Sequence, residues 1–329
     1  MLDHIIRYGD DQNHDWALET LRASEQLRGK RKIMGSVSPD TASDRLQRAV
    51  YDAKNSKSLP GVLVRSEGDP PSRDVAVNEA YDGAGQTYKL FRDVYNRNSI
   101  DDRGLRIDST VHFDVRYDNA FWDGVQLVYG DGDERLFNRF TIALDVIGHE
   151  LMHGIIQYEA GLLYRDESGA LNESFSDIFG SLVKQHALNQ TVDQADWLIG
   201  AGILTDNVNG IAIRSLKAPG TAYNDRVLGK DPQPSHYSQR YQGTVNDGGM
   251  HINSGIPNHA FYLASMAIGG FAWETTGQIW YQALREELRP RSNFQDAARA
   301  TISIASNRYG ENSREHRAID QAWQQVGVI

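Results

Sequence analysis

The chain has 329 residues, 40% hydrophobic and 24% charged, the balance of a soluble folded protein and enough length for two lobes that each bury a core. Its 34 basic and 44 acidic residues leave a formal net charge of −10, which disfavours nonspecific attraction to nucleic acid or to an anionic membrane. There is no cysteine, so disulfides, thiolate metal sites and a cysteine nucleophile are excluded, and any metal must use His, Asp or Glu.

No run reaches the length of a membrane-spanning helix, and the opening MLDHIIRYGDDQ lacks the apolar stretch of a secretory signal. Residues 1–50 read as a short extension. Asp15 to Leu27 predicts a helix with Ala17, Leu18 and Leu21 on one side, followed by the basic run Arg28 to Lys32 and a turn-rich stretch from Gly35 to Ser43. The readings for it are a removable prosegment on a cleavable linker, a solvated extension and, a poor third, a nuclear signal on the basic run. From Arg48 the pattern is mixed α/β, with a strand at Gly61 to Arg65 and a helix across Asp74 to Tyr95. Ser109 to Arg116 alternates like a half-buried strand, and Val125 to Tyr129 is a second. The acidic turn Gly130 to Glu134 lacks the ligand spacing of an EF-hand and is expected to end that strand.

Asp145 to Tyr158, DVIGHELMHGIIQY, is the central stretch. Phe140, Leu144, Ile147, Leu151, Ile155 and Tyr158 form an apolar stripe of helical period, which leaves His149 and His153 one above the other on a different face. Two histidines at this spacing are also a common surface pair. Glu150 directly after the first turns the pattern into HExxH, two neutral ligands and a carboxylate able to take a proton from metal-activated water. Gly148 and Gly154 each cost about 1 kcal/mol against Ala in a helix, so they imply close approach of a backbone or ligand. A catalytic zinc needs a third protein ligand. Glu173 is the candidate, with Asp177 one turn further on to orient a ligating imidazole, although NES could equally be a plain helix N-terminus. The remainder is mainly helical: Ile279, Trp280, Ala283, Leu284 and Leu288 share a face, Pro290 stops that helix, Ser292 and Gln295 suit a capping box, and a last helix runs from Ser313 to Gln325. An α/β half followed by an α-rich half, with the HExxH helix between, predicts an α+β fold with a cleft between two lobes.

DAK and LPG within Asp52 to Gly61, NAFWDG, VYGDGD, HELMH, GLLYRDESGALNESFSDIFG and GGMHINSGIPNHAFY, in that order, resemble the thermolysin family of zinc metallopeptidases from Tyr51 to Ile329. The resemblance implies a two-lobed peptidase, with residues 51–158 as the α/β lobe and 159–329 as the helical lobe. It implies His149, His153 and Glu173 as zinc ligands, Glu150 as the base, and Tyr164 and His251 as donors to the tetrahedral oxyanion. Asn119 and Ala120 match the edge-strand residues that hold an extended peptide, and Arg214 matches an arginine that contacts a substrate carbonyl. Cleavage before bulky hydrophobic residues is the specificity so implied.

Three departures are visible. Asn246 stands where the family commonly has the Asp that orients the histidine matched by His251, with Asp247 one place later. Lys184, Leu198 and Ala201 replace acidic residues of the family's double calcium site, leaving Asp145 and Asp196, so that site is expected to be absent. The short extension is similar to that of the protealysin-type subgroup, but that subgroup's Pro-Pro element would lie before Met1. The expected protein is a monomeric zinc endopeptidase acting on protein or peptide substrates and processing its own N-terminal segment. Its location is expected to be extracellular through a non-classical route, or cytoplasmic. A non-catalytic zinc and peptide-binding protein on the same fold is the alternative.

Overall fold

The computed structural model describes residues 1–34 and 43–329, side chains included except at Asp3, 28–34, Val245 and Asn246. The turn-rich stretch expected at Gly35 to Ser43 therefore lies outside the described residues, apart from Ser43. The N-terminal arm is two helices, α1 (Leu2–Tyr8) and α2 (Asp11–Met34). α2 begins before the expected Asp15 because the Asp10 carboxylate accepts from the Asn13 N–H at 2.9 Å, which satisfies a donor the first turn leaves open. It continues past Leu27 through Arg and Lys, which are good helix formers.

A five-stranded sheet follows: β1 (Arg48–Asp52), β2 (Val62–Ser66), β3 (Ile107–Val111), β4 (Ala120–Trp122) and β5 (Leu127–Tyr129), in the order β2-β1-β3-β5-β4. β4 is an edge strand antiparallel to β5, with Ala120 opposite Tyr129. The strand expected at Ser109 to Arg116 stops at Val111, because His112, Asp114 and Arg116 all take positive φ (54°, 57° and 56°), which ends the period-two pattern. His112 is held there by donating to Asp131 and Asp74, each at 2.8 Å. The acidic turn that follows β5 is thus part of the scaffold: Asp133 Oδ1 accepts from the N–H groups of Arg135, Leu136 and Phe137. Helix α3 (Val75–Tyr95) packs on this sheet, and its N-cap Asp74 accepts from the Ala76 N–H at 2.9 Å.

Helix α4 (Leu144–Tyr158) lies between this part and the helical remainder, buried from Asp145 to Ile156, and packs closely against α5 (Asp166–Ala187). A Cβ on Gly148 would meet the Gly180 Cα at 3.0 Å, and one on Gly180 would meet the Asp145 carbonyl oxygen at 2.3 Å. That contact lets side chains of α5 reach the histidines of α4, so the two glycines set the site's dimensions. The helical part continues with α6 (Val245–Asn253), α7 (Gly255–Ile268), α8 (Thr276–Gln282), α9 (Phe294–Tyr309) and α10 (Arg314–Gln325). Between α5 and α6 lie two short hairpins, β6 (Leu198–Ile199) with β7 (Arg214–Ser215) and β8 (Asn224–Asp225) with β9 (Gly229–Lys230). The capping box of α9 is one residue later than expected: Asn293 and Asp296 exchange the two bonds, while Ser292 Oγ accepts from the Arg289 N–H at 3.0 Å. The architecture is the expected α+β two-lobed one.

Where α5 passes the start of α4, the Lys184 ammonium sits 2.6 Å from Asp145 Oδ2, 2.8 Å from Asp196 Oδ1 and 2.8 Å from the Leu198 carbonyl oxygen. Burial opposes that charge, but Asp145 and then Asp196 outweigh it and raise Lys184 above its ordinary value. Asp145 is itself 1% exposed. Lys184→Met leaves this carboxylate buried without its cation, and the expected loss is about 3–5 kcal/mol. Denaturant unfolding of the two proteins measures it, and an unchanged midpoint contradicts it.

Candidate metal centre and cleft

One turn of α4 brings His149 Nε2 within 3.1 Å of His153 Nε2. Both opposite ring nitrogens are engaged. His149 Nδ1–H donates to Asp177 Oδ1 at 2.8 Å, and His153 Nδ1–H donates to Asn172 Oδ1 at 2.7 Å. That assignment places two Nε2 lone pairs face to face, an arrangement that calls for a cation. Glu173 Oε2 lies 3.6 Å from His149 Nε2, and Glu173 Oε1 lies 3.6 Å from His153 Nε2. Glu173 is 1% exposed, and its Oε1 has no hydrogen-bond partner among the described residues. Ligand atoms about 2.0–2.2 Å from one tetrahedral centre are spaced in this way, so the three residues fit a zinc ion. Their ligand atoms all lie within 4.8 Å of one another.

Asp177 is fully buried on α5 and is held from several sides: by His149, by Arg214 Nε at 2.8 Å and Nη2 at 2.7 Å, and by Asn258 Nδ2 at 2.9 Å. Burial alone would raise its carboxyl, but the Arg214 guanidinium and then His149 hold it well below the ordinary carboxylate range. Asn172 and Asn258 are site residues the sequence reading did not identify. Asn172 lies within α5 rather than at a helix start, and an asparagine buried mid-helix without a local role is itself a signal of a specific acceptor. Asn258 sits in the matched segment HINSGIPNHAFY but carried no signal of its own.

A cavity of about 310 Å³ is lined by these three residues. Glu150, Tyr164, His251, Asn119, Ala120 and Arg214 all line it, so distant stretches of chain converge on one cleft. Glu150 is 7% exposed, and its Oε2 accepts from the Trp122 N–H of edge strand β4 at 3.0 Å. The Tyr164 hydroxyl lies 3.3 Å from His251 Nε2. Asp247 is exposed in the first turn of α6, one turn before His251, and the Asn246 side chain lies outside the described residues.

The arm occupies the same cleft. Met1, Leu2, Leu21 and Ser24 line the cavity with the residues above. Ser24 Oγ is hydrogen-bonded to the Tyr117 hydroxyl at 2.9 Å and accepts from Asn119 Nδ2 at 3.2 Å. The Asp118 N–H donates to Thr20 Oγ1 at 3.2 Å, and Arg135 donates to Asp10 and Gln12, each at 2.9 Å. On the other side His4 Nδ1–H donates to the Val227 carbonyl at 2.8 Å, its ring against Gly229, where a Cβ would come within 2.7 Å. The arm therefore touches both walls of the cleft and lies on the edge strand.

Residues 32–157 match the family model described as thermolysin metallopeptidase, catalytic domain, and residues 160–328 match thermolysin metallopeptidase, alpha-helical domain. The chain is 47% identical to an extracellular metalloprotease of Pectobacterium carotovorum subsp. carotovorum, over all of this chain and 94% of that one. It is 45% identical to Protease PrtS of Photorhabdus sp. (strain Az29), over all of this chain and 90% of that one. Among solved structures it is similar to the precursor of protealysin, a metalloproteinase from Serratia proteamaculans, with a TM-score of 0.90 and 49% identity, covering all of this chain and 97% of that one. The chain belongs to the thermolysin family of metallopeptidases.

Proposed function

We infer that this chain is a zinc-dependent endopeptidase, with His149, His153 and Glu173 holding the ion. The observation that carries this is the placing of Glu150 in the cleft, beside the ligating trio and bonded to the edge-strand Trp122 N–H. A zinc ion held there supplies Lewis-acid activation of water and of the scissile carbonyl. The extended peptide lies along β4, with Asn119 and Ala120 as its backbone partners. Glu150 takes the proton of the attacking water and passes it to the leaving amine. Tyr164 and His251 donate to the oxyanion as it develops. Arg214, anchored through Nε and Nη2 on Asp177, holds a substrate carbonyl and links that grip to the His149 tautomer. Phe137, Phe140, Val146 and Ile213 on the cavity wall favour a bulky hydrophobic side chain beside the scissile bond. The test is hydrolysis of casein or a quenched peptide by the processed protein.

Residues 1–34 act as an inhibitory prosegment in this reading, since Ser24 takes the Asn119 amide that a substrate needs. Incubation of the purified protein is expected to yield a stable fragment beginning between about residues 30 and 52, together with a rise in peptide hydrolysis. A fully active uncleaved chain contradicts this. Lys184 stands in for a cation between Asp145 and Asp196, and a calorimetric calcium titration of the zinc form should show no tight double site; strong uptake there overturns the reading. An extracellular site of action is supported by the Pectobacterium relative's description, and a monomer is the proposed working form.

A further inference from the structure

We propose that Asp118 is a proton-gated latch for the arm: α2 closes over its neutral carboxyl, and loss of that proton loosens the arm from the cleft. This rests on the reading of residues 1–34 as a prosegment. Asp118 directly precedes Asn119, lines the cleft beside Leu21 and Ser24, and is 7% exposed. Its N–H donates to Thr20 Oγ1 of α2, while its carboxyl Oδ1 is buried with no hydrogen-bond partner among the described residues. A carboxylate with a buried oxygen left unpaired is costly, and either a proton or a return to water relieves it.

Among the described side chains, no cation pairs with this carboxyl. Asp133, on the turn after β5, is a like charge, and Glu134 beside it is exposed. Arg135 is engaged by Asp10 and Gln12, and Arg116 lies 4.1 Å over the Trp16 ring. On α2 itself Asp15, Glu19, Arg22 and Glu25 are exposed. Across the cavity Arg214 is held by Asp177, and Asp231 accepts from the Gly220, Ala222 and Gln233 N–H groups. Burial, then the Asp133 charge, push the Asp118 carboxyl up to about 8.

The sign follows from the covered state holding the proton more tightly than an uncovered carboxyl. The latch is at full strength below the ordinary carboxylate value of about 3.9, weakens up to about tenfold per pH unit above it, and is fully lost once the pH passes the covered value. Asp10 works in the opposite sense: the Asn13 N–H and Arg135 lower it, so its contribution fades in acid. His4 and His14 are further titratable groups on the arm, which makes Asp118→Asn the variant that isolates the carboxyl.

The experiment uses the full chain carrying Glu150→Gln, so that it stays uncut, and follows amide hydrogen exchange of α2 from pH 5 to 9, corrected for chemical exchange and referenced to α3. Protection of α2 is expected to fall up to about tenfold per unit from pH 5 to about 8, and Asp118→Asn is expected to abolish the fall. Equal slopes in both proteins, or an α2 indifferent to pH in the parent, overturn the latch. Where Asp118→Asn also loosens α3, Asp133→Asn decides: it removes the neighbouring charge, so the fall must end at lower pH, and an unmoved fall counts against the proposal. Peptide hydrolysis unchanged by removal of residues 1–34 overturns the prosegment reading itself, whereas a pH-indifferent α2 overturns the latch alone.

Discussion

Glu150→Ala is expected to abolish peptide hydrolysis while leaving zinc bound. Glu150 is not one of the three residues whose ligand atoms converge, and its carboxylate is instead turned to the Trp122 N–H. Removing it leaves the His149 and His153 tautomers set by Asp177 and Asn172, so the metal site is intact. What is lost is the group that accepts the water proton and delivers it to the leaving nitrogen, a role worth about 10² to 10⁴ in rate. Turnover measured beside zinc content separates the cases. Loss of zinc together with activity would mean that Glu150 helps to hold the ion, and retained turnover would remove it from the base's role.

The second large effect is expected at the oxyanion. His251→Ala and Tyr164→Phe should each lower kcat by about 10² to 10³ with little change in KM, because their donors matter chiefly once charge has developed on the former carbonyl oxygen. The His251 side chain is 36% exposed, so its truncation leaves no cavity in the core. The two act at one point, with the Tyr164 hydroxyl 3.3 Å from His251 Nε2. The double variant should therefore lose less than the product of the single losses. A matching rise in KM at constant kcat would assign them to substrate binding instead.

The metal trio was legible because its chemistry is local: HExxH needs only helical periodicity, and Glu173 and Asp177 are one turn apart on the next helix. The depth of Asp177's network was not, since Arg214 and Asn258 reach it from 37 and 81 positions away. Helix α3 and the central helix follow from apolar spacing, whereas β3 is shorter than its alternation predicts because left-handed backbone at His112 depends on its ion pairs with Asp74 and Asp131, a tertiary cause. A glycine inside a helix, Gly148, implies a close approach, and the backbone it approaches is that of Gly180. The arm's helix was legible in part. Its seat on β4 was not, because Thr20 and Ser24 meet partners 98 and 95 positions away through hydroxyl contacts that leave no periodic trace.

The most direct test of the whole account is peptide hydrolysis by the chain freed of residues 1–34, with metal content measured before and after chelation. About one zinc per chain is expected, as three protein ligands and an open position require, with cleavage lost on chelation and restored by zinc. A chain that holds its zinc and cleaves nothing would contradict it and favour a peptide-binding protein built on the same fold.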